Sequence, residues 1–394
     1  KMGASRLWGA RHNASMKLLP HSMQHRRSFA HKKTWPACLL IFSIIAQMLV
    51  ASARAQSVPR KVVLEDIAAK VISPAYTDLD SKCRALTNAI GQLVHAPNQA
   101  SLDHARQAWA DAAAAANRAR YFQAGPIVDR EYVATFYYWK VRGSKIDSTI
   151  HEARAIDQAF LNEQGADVKG LFTLEYLLFG QAHQSPGEPK PVKTPLELLC
   201  GNDAKPRRDF LLLVGHDLES KAAQLAADWS VSGEQGTRGK FANGGQQSIN
   251  LLVNQLAAAI ESASENRLHF TLDLPKPLPG QLYRIEGSGS GSSLRDLIAT
   301  LEGLQEVYLG AGGSGLADAV KPVNPTLDKR MREQFAATIS ATKVIGAPLE
   351  DAVINNRAAI QAACDKMKAL EIMFKVDLTS ALGVTLTFNS TDGD

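Results

Sequence analysis

Apolar residues spaced alternately four and three apart decide the class of this chain. Ile72, Tyr76, Leu79, Cys83, Leu86, Ile90 and Leu93 keep that spacing without a break. On a helix of 3.6 residues per turn they form one buried stripe. The pattern returns in Leu102, Ala105, Trp109, Ala112, Ala116 and Ala119, and in Leu211, Gly215, Leu218, Ala222, Leu225 and Trp229. It returns again through Ile249, Leu252, Leu256 and Ala259. Further helices are expected over 148–163, 293–309, 325–345 and 349–376. Ser73-Pro74 reads as one helix start and Ser101 as the cap of the next. Strict alternation is confined to Leu268, Phe270, Leu272 and Leu274, and to a piece at 384–388, where short strands are expected. The expected fold is all-α, with at most those strands.

The first 55 residues stand apart. They hold nine Lys or Arg and no Asp or Glu, then an apolar run from Cys38 to Val50, then Ala53-Arg54-Ala55. A basic start, a short apolar run and a small-x-small site describe a signal peptide. The run is too short to span a bilayer well, which takes ~20 residues. The chain is therefore expected to be exported, to the periplasm, with no transmembrane segment in its mature part. The whole chain carries +5, from 44 basic and 39 acidic residues. Without residues 1–55, 35 basic face 39 acidic residues and the net charge is −4. The basic balance belongs to the leader, and nothing in the mature part argues for a nucleic-acid partner. Cys83, Cys200 and Cys364 remain, at spacings that fit no zinc motif. One bridge with one thiol left over is permitted. Cys83, on an apolar seam, reads as a buried thiol.

The mature length suggests two domains. Five glycines between Gly233 and Gly245 mark a boundary, giving an N-terminal helical bundle at 56–240 and a C-terminal one at 241–394. An internal echo suggests that the two arose by duplication. Gly170-Leu171 through Glu175 to Leu178-Phe179-Gly180 resembles Gly303-Leu304 through Glu306 to Leu309-Gly310. Gly287-Ser288-Gly289-Ser290-Gly291 reads as a flexible tip.

Chemistry concentrates at residues 170–180, where Glu175 is the one charged residue in an apolar run between two glycines. A buried carboxylate needs an ion partner, hydrogen bonds or a metal, so Glu175 either has such a partner or faces a polar cleft. Arg130, Trp139 and Tyr176 are candidate neighbours, because a fixed cation and large amphipathic rings suit ligand contact. In this reading Glu175 supplies negative charge, Arg130 positions it or an anionic ligand, and Trp139 and Tyr176 form walls. His216 and Glu219 share a helix face and read as a solvated pair beside the buried stripe. The mature chain has no His-Glu-x-x-His, no recognisable Ser/His/Asp arrangement and no phosphate-cradling glycine loop.

The 170–180 stretch, the Gly125-Pro126 loop with Trp139, and the closing Leu382-Gly383-Val384-Thr385-Leu386-Thr387-Phe388 resemble the imelysin family. The resemblance spans about 60 to 390. It implies an all-helical, two-bundle periplasmic protein. Some members are described as metallopeptidases and others are linked to iron uptake. The family motif Gly-x-His-x-x-Glu is matched at Gly170 and Glu175, but Phe172 stands in place of the histidine. A phenyl ring cannot ligate a metal, and Glu175 is then the only metal candidate within the motif. The resemblance thus implies a ligand-binding protein of iron or metal acquisition rather than a peptidase. Its ligand would be a small molecule, a divalent metal or iron, and its partners other exported uptake proteins. The alternatives are a metal-dependent peptidase that draws histidines from elsewhere, with His151 and His183 near the motif in sequence, and a structural or partner-binding module. Glu175→Leu is expected to harm function more than folding.

Overall fold

The computed structural model describes residues 58–153, 155–180, 193–275 and 281–386. The leader, His183, the loop at 185–191 and Thr387-Phe388 lie outside the described residues. The ten longest α-helices carry the architecture. They are α1 (Arg60–Ile67), α2 (Ser73–His95), α3 (Gln99–Ala119), α4 (Gly143–Glu152) and α5 (Leu171–Phe179). There follow α6 (Lys205–Ser230), α7 (Gln246–Glu261), α8 (Ser293–Leu309), α9 (Pro325–Val344) and α10 (Arg357–Ile372). No strand occurs among the described residues, and no helix there is long and apolar enough to cross a membrane.

The stripes read from spacing are the buried faces. Every apolar member of the α2, α3 and α6 stripes is buried. These three helices pack side by side, and α8, α9 and α10 form a second group. Helix α3 crosses α8 and joins the groups, so one apolar core runs through both. Trp229 sits in that core, stacked on Tyr76 at 6.3 Å and met edge-on by Phe122 and Phe241. Cys83 and Cys364 are buried, Cys200 is exposed, and none of the three is bridged.

Local details depart from expectation for local reasons. Ser73 is not a cap. A π-helical turn, Ala68–Ile72, links α1 to α2 without a break, and the Ser73 carbonyl accepts from Thr77 Oγ1 at 2.9 Å. The wider turn gives room to Pro74, whose ring would press on the carbonyl four residues back in a regular helix. Asn98, not Ser101, caps α3, accepting from Ser101 N at 3.0 Å, while Ser101 Oγ accepts from Asn98 N at 3.1 Å. The expected helix over 148–163 is two, α4 and Gln158–Glu163. The expected strand at 268–274 is a correction. α7 runs into a π turn, Ser262–Leu268, and then a 3-10 turn, His269–Asp273. Four alternating apolar residues cannot distinguish a strand from a helix whose pitch changes beneath them.

The crossing of α3 and α8 depends on Gly303. A Cβ there would lie 2.1 Å from the Arg118 carbonyl oxygen, so the two backbones touch only because no side chain intervenes. Gly303→Ala should push the helices apart and destabilise by about 1–3 kcal/mol. Thermal melting checks this, and an unchanged midpoint would contradict it. The two echoed segments share a backbone feature at one end. Gly180 and Gly310 both close their helices in the left-handed conformation, with φ of 74° and 92°. Gly170 precedes α5 at φ 84°, whereas Gly303 lies inside α8.

Candidate functional site

Helix α5 is enclosed on every side, which is why its sequence is apolar all round. Glu175 is 6 % exposed. It accepts hydrogen bonds from Ser290 N at 2.9 Å and Ser290 Oγ at 2.7 Å. Both come from the Gly-Ser stretch before α8. That stretch is no flexible tip. Gly287 and Gly291, each at φ 74°, turn the backbone so that its hydroxyls meet buried acids. Ser292 Oγ donates to Asp296 Oδ2 at 2.5 Å, and Ser293 Oγ donates to Glu350 Oε2 at 2.6 Å. Burial pushes the Glu175 carboxyl up to about 8, against the serine hydrogen bonds, and the charges of Asp296 and Glu286 raise it further. Burial likewise lifts Glu350 to about 7 and Asp296 to about 6. That shift favours the protonated form of Glu175 near neutral pH, in which it carries no charge.

A second polar layer adjoins the first. Glu286 opens the Gly-Ser stretch and is buried. It pairs with Arg120 Nη1 and lies 3.6 Å from Arg267 Nη2. Arg120 follows the last residue of α3, stacks on Tyr137 at 5.0 Å and also donates to Asn117 Oδ1 at 3.3 Å. Arg267 comes from the π turn after α7, is 5 % exposed, and donates through Nη1 to Thr300 Oγ1 at 2.9 Å.

This layer floors a cleft of about 780 Å³, a size that suits a small organic ligand. Five cations line it: Arg120, Lys140, Arg142, Arg267 and Arg284. Glu286 is its one carboxylate, and Trp139, Phe270 and Tyr283 are its rings. Lys140 Nζ lies 5.8 Å from the Trp139 ring centroid. Arg142 Nη2 is 3.6 Å from Asp167 Oδ2.

Of the four residues singled out from sequence, only Trp139 lines this cleft, while the Glu175 carboxyl is close enough to Glu286 to feel its charge. Arg130 lies elsewhere. It ends a single helical turn, Pro126–Asp129, and its guanidinium is held by both carboxylate oxygens of Asp228, at 2.7 and 2.9 Å. Asp228, near the end of α6, lies closer to hand than any buried acid. Tyr176 also faces elsewhere. One residue along a helix turns a side chain about 100°, so Tyr176 points away from its neighbour. Its hydroxyl donates to Asp147 Oδ2 at 2.6 Å, and Arg207 stacks on its ring at 5.5 Å. His95, His104, His151, His216 and His269 are all exposed. His216 Nδ1 lies 3.8 Å from Glu219 Oε2 with its side chain 62 % exposed, the solvated pair read from spacing. Among the described residues no three of His, Cys, Asp and Glu converge as metal ligands would.

The Peptidase M75 family model, Imelysin, matches residues 72–372. The chain belongs to the imelysin family. Iron-regulated protein A of Synechococcus elongatus is 20 % identical to this imelysin-family chain over 348 residues, 82 % of this chain and 89 % of the relative. Two solved structures share its all-α fold. One, from Parabacteroides distasonis and described as an iron-regulated protein A precursor, has a TM-score of 0.68 at 20 % identity, covering 82 % of this chain and 95 % of the other. The second is an imelysin-like protein from Psychrobacter arcticum, with a TM-score of 0.65 at 18 % identity, covering 84 % and 97 %. In this imelysin-family chain Phe172 is core. Its ring meets Trp109 edge-on at 6.3 Å, and Trp109 Nε1 donates to the Leu171 carbonyl at 2.8 Å. The groups around Glu175 therefore do not fit a transition metal. An apolar ring stands at the family's imidazole position, and the carboxylate oxygen is turned to an N–H and a hydroxyl.

Proposed function

We propose that this chain is a ligand-binding member of the imelysin family, acting in the periplasm in iron or metal acquisition, with its site in the cleft floored by Arg120, Arg267 and Glu286. The carrying observation is the cleft itself. It is ligand-sized, walled by three rings, and set over a buried layer of paired charges. Such a layer fixes polar groups before a ligand arrives, which limits the ordering cost of binding. The iron link rests on the names of the relatives, and the periplasmic assignment rests on the leader. The cleft would lie where two related helix groups meet, with their boundary near residue 240. The shared left-handed glycines at Gly180 and Gly310 support that reading.

The peptidase alternative would need Glu175 as a general base or metal ligand. A carboxyl that holds its proton to about pH 8 and exposed histidines both favour the binding role. Two measurements test the proposal. Iron supplied as its citrate complex should raise the melting temperature of the purified protein, and Trp139→Ala should remove most of that rise, measured from the variant's own unliganded midpoint. Peptide hydrolysis should show no chelator-sensitive component. Chelator-sensitive cleavage abolished by Glu175→Gln would establish the peptidase instead.

A further inference from the structure

We infer that the cleft takes iron inside a small organic anion rather than as the bare ion, a reading that deepens the binding role proposed above. The ligand class is a chelate whose carboxylate or phenolate oxygens face the protein. Charge is the first argument. Five cations and one carboxylate share the lining, and that carboxylate, Glu286, is already engaged by Arg120 and Arg267. A naked di- or trivalent cation entering there meets like charge at short range. An anion meets the opposite.

The second argument is independent of net charge. Arg267 is buried, yet its Nη2 has no hydrogen-bond partner among the described residues. Glu286 Oε1, at 3.6 Å, is too far for one. A buried donor left unsatisfied is uncommon and calls for an acceptor. Arg267 lines the cleft, a small shift of its side chain would bring Nη2 to an oxygen there, and a guanidinium fork suits a carboxylate. Exposed Lys140, Arg142 and Arg284 then form an outer rim that draws the anion inward. The rings of Trp139 and Phe270 offer apolar walls to the organic part of the chelate.

Titration calorimetry on the purified protein tests this with three probes: iron(III) citrate, iron-free citrate and manganese(II) chloride. The expected result is that iron(III) citrate and citrate bind competitively, while manganese(II) neither binds in the cleft nor displaces them. Reversing the exposed rim, with Lys140→Glu and Arg284→Glu together, should weaken both anions at least roughly tenfold at an unchanged melting temperature. Arg267→Lys keeps the charge but loses Nη2 and should also weaken binding. Arg130→Glu, outside the cleft, should not. If manganese(II) binds, Trp139→Ala abolishes that binding and citrate is ignored, the cleft reading stands and the anion class is overturned. If no probe responds to Trp139→Ala, the binding role at this site fails as well. Affinity for iron(III) citrate that is indifferent to the rim reversal also overturns the inference.

Discussion

Glu286→Gln is expected to lower stability by about 3–5 kcal/mol, because it strips a buried carboxylate from between two guanidinium groups. The Arg120 side chain is 12 % exposed and that of Arg267 is 5 % exposed, so water in the cleft replaces only part of the lost pairing. Removing one member of a buried ion cluster leaves its partners charged and desolvated, which is worse than never having built the cluster. For a unit of this size the melting midpoint should fall by roughly 4–7 °C. Adding Arg267→Met to Glu286→Gln should restore part of the loss, since the uncompensated charge is then also gone. Thermal unfolding of the two variants beside the parent decides the matter. A midpoint within about 2 °C of the parent for the single variant would mean that the cluster is solvated.

Acidifying the solution should stabilise this protein across the range where most proteins change little. Glu175, Glu350 and Asp296 titrate near 8, 7 and 6 in the folded state, against ordinary values of 4.5, 4.5 and 3.8. All three are raised, so the folded state binds protons more tightly than the unfolded chain. The stability they contribute is complete below about pH 4 and is lost as the pH climbs through about 6, 7 and 8. The melting midpoint should therefore fall steadily from about pH 5 to about pH 8.5. Glu175→Gln imitates the protonated acid and can still accept from Ser290. At about pH 8.5 it should be more stable than the parent, on the order of 4 kcal/mol if Glu175 acted alone and less because the acids interact. At about pH 5 the two should melt together. A variant less stable than the parent at every pH, with an unaltered slope, would show that Glu175 is charged in the folded protein. Glu175→Leu, by contrast, leaves Ser290 N without its acceptor, whereas Ser290 Oγ can still turn to the Gly287 carbonyl, so a cost to folding is expected beside the cost to function.

How far the sequence reaches can be judged from particular residues. The stripes on α2, α3 and α6 were legible because burial on one face leaves a period that no other structure shares. Glu175 was legible because a lone acid in an apolar run is improbable unless something receives it. Ser290, which receives it, was not. Glycine and serine announce backbone freedom, and composition cannot say that two positive-φ glycines are using that freedom to fix hydroxyls onto acids. Arg120 and Arg267 were missed for another reason. Each is an ordinary surface cation by local context, and only the tertiary fold brings Arg120 to Glu286 across 166 positions of sequence. Arg130 was chosen for being a cation near aromatic rings, but the same reasoning cannot see Asp228 at the end of a distant helix. Trp139 was found because a large ring in a charged stretch rarely goes wholly inside.

The widened turn at Ser262–Leu268 delivers Ser262, Asn266 and Arg267 to the cleft, while the core on either side is held by α7 and by the helices that follow. A widened turn of this kind amounts to surplus chain carried within a helix. Shortening it by one residue would let the helix close to regular pitch with its flanks still facing as they do now. The recognition surface and the scaffold could thus change independently, and relatives with the same frame but a differently spaced turn would present different chemistry at the same mouth.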